Sequence, residues 1–181
     1  MKSVIVLLLI VQSFFAYSQN NKLIKLLNAE LKKELKRIEK NLDAEKFEVT
    51  QYYHLRDSIL LQEEHNEDVQ APRAIWRADL KILTLEVKKK NPYTGKTYTE
   101  KQEVNLGMIE KLIKDINIIF ETQPEAVLVT TTDENGEITT RRTNLFFLQL
   151  NQEKNNEYLA DKIVKTINAA GYYIEKGIWA D

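Results

Sequence analysis

The chain has 181 residues, with 26 lysines and arginines against 27 aspartates and glutamates, two histidines, five glycines and no cysteine. Charges this closely balanced exclude the basic footprint of a nucleic-acid binder. The lack of cysteine excludes a disulfide framework and a thiol-linked lipid, and so few glycines leave little backbone for cradling a nucleotide's phosphates, so no cofactor is expected.

Lys2 is followed by an apolar run at 4–11 and then by Gln12, Ser13, Phe14, Phe15, Ala16, Tyr17 and Ser18. A positive start, a short apolar centre and small residues at the exit are the pattern of a secretory signal peptide, with the cut expected between Ser18 and Gln19. The apolar stretch is shorter than the roughly 20 residues a bilayer-crossing helix needs, and Gln12 and Ser13 interrupt it. No stable membrane anchor is therefore expected, and the protein is expected in the periplasm or secreted. Residues 19–181 then form a single domain, long enough to bury about 70% of its unfolded surface around one core.

Leu23, Ile24, Leu27, Leu31, Leu35, Ile38 and Leu42 recur at steps of three and four, which predicts a helix over 21–42 capped by Asn20 or Asn21. Its opposite face carries Lys22, Lys25, Lys32, Lys33, Lys36, Arg37 and Lys40 against Glu30, Glu34 and Glu39. That face is either a solvated surface laced by Glu30–Lys33 and Glu34–Arg37 pairs or a docking surface for anionic lipid or a partner. Residues 46–62 fit neither a clean strand nor a clean helical period, with a strand the reading for 47–55, and the polar run 62–72 reads as a surface loop ending at Pro72.

Alternation of Leu83, Leu85 and Val87 with polar neighbours predicts a strand, preceded by Ala78, Leu80 and Ile82 in the opposite phase, with a bulge near Ile82. Turn residues at 91–95 and alternation over 97–106 complete a hairpin. Ile109, Leu112, Ile113, Ile116, Ile119 and Phe120 fit one helical face, so a helix is expected before Pro124. A second hairpin follows, from 126–132 through the Asn135-Gly136 turn into a long strand at 138–150. Leu159, Ala160, Ile163, Val164 and Ile167 mark a last helix over 152–170 with Gly171 at its cap, and an apolar tail packs back as a strand or clasp. The expected fold class is α+β: an antiparallel sheet of four or more strands with amphipathic helices on one face. The order is a helix, then a hairpin-helix-hairpin-helix unit at about 74–171. The segments beginning at Gly95 and Gly136 line up weakly, as an internal duplication would or as hairpins do by chance.

The chemistry-bearing residues are sparse. His54, Asp57 and Ser58 have the residue types of a hydrolytic triad, but such triads assemble in space and not from neighbours. The two histidines, His54 and His65, lie too far apart for a helical zinc motif. Glu63, Glu64, His65, Glu67 and Asp68 lack the regular oxygen spacing and the glycine of a calcium loop, so no metal is expected. Arg73, Trp76 and Arg77, with Arg141 and Arg142, hold four of the six arginines. Arginine beside an exposed aromatic grips carboxylates, phosphates or sugar rings. The alternative is that Trp76 is core and the arginines pair with Glu86, Glu100 or Glu137. Strand alternation puts Arg141 and Arg142 on opposite faces, so the candidate ligand site is Arg73, Trp76, Arg77 and Arg141. The function expected is a non-enzymatic binding or interaction module of the bacterial envelope, meeting a protein or polymer. The alternatives are a small hydrolase centred on His54 and a membrane-surface protein held by the basic helix.

Overall fold

The computed structural model describes residues 2–41, 44–57 and 81–180, with side chains from residue 21 onward. The elements in chain order are α1 (Lys2–Lys40), β1 (Phe47–Asp57), β2 (Lys81–Lys90), β3 (Thr97–Asn105), a 3₁₀ turn (Leu106–Met108), β4 (Ile109–Lys114), β5 (Ile118–Thr122), β6 (Val127–Asp133), β7 (Ile138–Thr143), β8 (Leu145–Phe147), α2 (Glu157–Ala169) and β9 (Glu175–Trp179). The fold is α+β. A five-stranded antiparallel sheet has the order β1-β2-β3-β6-β7, and a second sheet has the order β8-β5-β4-β9, in which β9 runs parallel to β4.

Turn chemistry decides both hairpins of the large sheet. Asn91 Oδ1 accepts from the Tyr93 and Thr94 N–H groups at 2.9 and 3.1 Å, and Gly95 takes φ 70°, a conformation open mainly to glycine. In the second hairpin the Asp133 carboxylate accepts from the Glu137 and Asn135 N–H groups, and Gly136 takes φ 83°. Those backbone donors hold Asp133 below the usual aspartate range. The inner face of the large sheet buries Tyr53, Leu83, Leu85, Val87, Val104, Val127 and Val129. It shares one core with Leu23, Leu27 and Leu31 of α1, with Leu112, Phe120 and Phe146 of the second sheet, and with Leu159, Ile163 and Ile167 of α2. Tyr53 ties the layers together by donating its hydroxyl to the Leu148 carbonyl at 2.6 Å. Burial pushes its phenol well above the usual tyrosine range, so the donor keeps its proton.

Five expectations meet a different structure. The segment 109–120 is not a helix but the β4–β5 hairpin, turning at 115–117. Leu112, Ile118 and Phe120 are buried there, and Ile116, which the helical period placed in the core, is exposed at the turn. The run 138–150 is two strands, because the chain leaves the large sheet at Asn144 and enters the second as β8. α1 spans Lys2–Lys40, so Asn20 and Asn21 lie within it and not at its start. α2 starts at Glu157, since Asn155 sits in the left-handed region and Asn156 gives its side chain to Lys114 instead of to a cap. The β2–β3 register runs unbroken from Ile82 to Lys90, and the irregularities of the large sheet fall in β1, between Val49 and His54. The expected loop at 62–72 and the residues Ala78 and Leu80 lie outside the described residues.

On the basic face of α1, Lys22, Lys25, Lys32, Lys33, Lys36 and Lys40 are exposed. Glu30 and Glu34 are buried and pair with Lys33 at 2.7 Å and Arg37 at 3.4 Å. No helix among the described residues is long and apolar enough to cross a membrane.

β9 owes its place to a close approach. A Cβ on Gly177 would stand 2.6 Å from Ile113 Cγ2 of β4. Gly177→Ala is expected to lower stability by about 1–2 kcal/mol through overpacking, measured by urea denaturation. Restoring space with Gly177→Ala/Ile113→Val should recover part of the loss, and an unchanged midpoint in the single variant would contradict the approach.

Candidate functional site

Where the inner face of the large sheet runs past its apolar half, its side chains turn polar. Cross-strand register places Lys89 opposite Tyr98, Val87 opposite Glu100, Leu85 opposite Gln102 and Val129 opposite Arg141. One face therefore carries Lys89, Glu100, Gln102 and Arg141 beyond the core. After β7 the chain crosses back over this face as β8. The crossing is held by Gln102, which is 1% exposed, accepts from the Phe147 N–H at 2.9 Å and donates to the Phe147 carbonyl at 3.4 Å. Beneath the crossing opens a cleft of about 190 Å³, with Phe47, Phe147 and Leu145 as apolar walls and Glu45, Gln149 and Arg141 among its polar lining. That volume is below the roughly 300–1,000 Å³ of a site for a drug-sized molecule, and suits a group the size of one amino-acid side chain.

The charges in the cleft are unequally satisfied. Lys89 and Glu100 pair at 3.1 Å and neutralise each other. The Arg141 side chain is exposed and forms no ion pair or hydrogen bond with a described residue, and neither does that of Glu45. Their fields meet at Tyr98, whose phenol is raised by partial burial and by the Glu100 and Glu45 carboxylates, with Arg141 opposing. Gln149 is the second polar group of interest. It is 9% exposed and lines the cleft. Its backbone sits at φ 52°, a strained placement for a residue other than glycine. Strain of this kind costs of order 1–3 kcal/mol, persists only where the surroundings enforce it, and concentrates at ligand sites.

The expected site residues fall apart in the structure. Of Arg73, Trp76, Arg77 and Arg141, only Arg141 is described, and it stands in the cleft. Arg142 lies on the opposite face, as alternation requires, and donates to the Glu125 carbonyl at 3.2 Å. His54 lies on β1, with Nδ1 3.2 Å from the Tyr52 carbonyl. Asp57, three residues on, falls on the other face of the strand and pairs with Lys81. His54 and Asp57 therefore do not converge, and Ser58 lies outside the described residues, as do Glu63, Glu64, His65, Glu67 and Asp68. Among the described residues no three of His, Asp and Glu are grouped to hold a metal.

Sequence reasoning missed Gln102, Gln149, Phe47 and Phe147. The available signal was one polar residue inside an apolar run, Gln149 between Leu148 and Leu150, where uniform burial in a strand would leave an amide stranded. No family model matches the chain, and neither a curated protein nor a solved structure is found to be similar to it.

Proposed function

We propose that the protein is an exported, non-enzymatic binding module of the bacterial envelope whose cleft takes a carboxylate-bearing group of an envelope or extracellular protein or polymer. The observation that carries this reading is the meeting, in one cleft, of the exposed Arg141 guanidinium, which pairs with no carboxylate among the described residues, and the Gln149 amide. A guanidinium presents a planar fork that matches a carboxylate, and an amide beside it offers both a donor and an acceptor. A ligand supplying a carboxylate to Arg141 and N–H donors to both Glu45 and the Gln149 amide oxygen engages all three at once. Export follows from the signal-like residues 2–18. Removing them leaves Leu23, Leu27 and Leu31, the α1 residues of the core, in place.

The reading is tested by titrating the isotope-labelled protein with N-acetylglutamate α-amide and following the Arg141 and Gln149 side-chain resonances. Saturable shifts at millimolar concentration, about −4 kcal/mol of binding, are expected. They should vanish in Arg141→Gln, which keeps the side chain's length and polarity. Linear, unsaturated shifts in the wild type, or the same isotherm in the variant, would sink the reading.

A further inference from the structure

The strand that bears Arg141 is also the bare edge of the large sheet. β7 pairs with β6 on one side and with no strand of the described residues on the other. The direction of its free groups follows from the ladder. Asp133 N–H donates to the Glu137 carbonyl, so these two face each other, and the antiparallel alternation turns Thr139, Arg141 and Thr143 toward β6. Ile138, Thr140 and Arg142 accordingly aim their N–H and C=O groups outward. Five of the six residues of β7 are exposed, Ile138 at 64%. The strand has no proline, lysine or bulge to blunt it, and isoleucine and threonine favour extended backbone. Two other edges are met in part: the Asn28 amide bonds the Tyr53 carbonyl of β1 at 2.9 Å, and Gln102 bonds the Phe147 N–H and carbonyl of β8, while β9 closes the far side of the second sheet.

We infer that β7 receives an extended acidic segment of another protein as a sixth strand, with one of its carboxylates meeting Arg141 at the mouth of the cleft. In an added antiparallel strand, residues opposite Ile138, Thr140 and Arg142 exchange the backbone hydrogen bonds. The residue opposite Arg141 falls in a non-bonded pair, where the Cα atoms approach to about 4.5 Å and side chains are closest. Its side chain points to the inner face, the same face that carries the cleft. Main-chain pairing then supplies affinity, and the cleft with its unpaired guanidinium selects an acidic side chain. A polypeptide also meets the cleft's other demand, since it brings a carboxylate together with amide N–H groups. This inference rests on the carboxylate-binding reading above and specifies its ligand.

The probe is an acetylated, amidated heptapeptide of alternating valine and glutamate, added to the full chain, with an alternating valine–lysine peptide as control. Expected is at least tenfold slowing of amide hydrogen exchange at Ile138, Thr140 and Arg142, with no binding of the lysine peptide. Thr140→Pro removes an outward N–H without touching the β6 ladder and should abolish that protection. N-methylation of alternate peptide nitrogens should do the same with the protein unaltered. Arg141→Gln should weaken the acidic peptide about three- to fivefold. Cleft shifts with edge exchange unchanged would overturn strand addition and leave the carboxylate site standing. Equal binding of the lysine peptide would overturn acid selection. Edge protection that rises with protein concentration alone, with dimers in sedimentation equilibrium, would assign the edge to a second copy and overturn the inference. Failure of both the peptide and N-acetylglutamate α-amide would remove the binding site itself.

Discussion

Replacing Phe120 by alanine is expected to lower the free energy of unfolding by about 4 kcal/mol, read as a shift of the urea midpoint. Phe120 is fully buried, stands between Leu112 and Phe146 in the register of the second sheet, and meets the Phe146 ring at 6.3 Å and 43°. The loss combines the transfer of a benzyl group with the cavity left between two sheets that cannot both close on it. The tilted ring contact adds about 1 kcal/mol that an aliphatic residue does not replace, so Phe120→Leu should cost less than half as much. A loss below about 1 kcal/mol would place Phe120 at the surface and remove the β4–β5 hairpin from the core.

Glu34→Ala is expected to cost about 3 kcal/mol. The Glu34 side chain is 1% exposed and accepts the N–H groups of both Asn151 and Gln152 at 2.5 Å, while Arg37 donates to it at 3.4 Å and also pairs with Glu153 at 3.0 Å. One carboxylate on α1 thus holds the loop that leads from β8 to α2. Removing it strands two backbone donors and leaves Arg37 with Glu153 alone, and each buried unsatisfied group costs about 1–3 kcal/mol. Glu34→Gln keeps an acceptor and should lose about half as much. Equal, small losses for both substitutions would mean that water replaces the carboxylate and that the loop is held by packing alone. Because the same loop follows Gln149, Glu34→Ala should also loosen the roof of the cleft and weaken N-acetylglutamate α-amide binding.

How far the molecule was legible depended on the range of the physics involved. The leucine stripe of α1, the two hairpins with their Asn91 and Asp133 turns, the Leu159–Ile167 face of α2 and its Gly171 stop are set by neighbours a few residues apart. Each was readable for that reason. The segment 109–120 was not, because five isoleucines, a leucine and a phenylalanine satisfy the helical period and a buried hairpin alike. The deciding features were the β-branched content and the turn at 115–117, which count only once partners exist on both sides: β8 beside β5, and β9 beside β4. The break at Asn144 was hidden for a similar reason. Residues 138–150 read as one strand, and only the existence of a second sheet gives the chain somewhere to go.

The candidate site divides in the same way. Alternation separated Arg141 from Arg142, and that separation holds. Nothing local marks Gln102 and Gln149 as lining residues, since one is placed by register with β2 and β6 and the other by the crossing of β8 over the large sheet.

The amino-acid sequence by itself determined the α+β class, the absence of disulfides, the near-neutral charge and the local elements whose hydrophobic period admits one conformation. The tertiary structure alone decided that 109–120 pairs as strands, that β7 is the last of the described strands in its sheet, and that Arg141 and Gln149 share a cleft. The physical reason is that period and capping act within one turn or one hairpin. Sheet order, edge exposure and unsatisfied polar groups instead depend on which distant segments supply the missing hydrogen bonds.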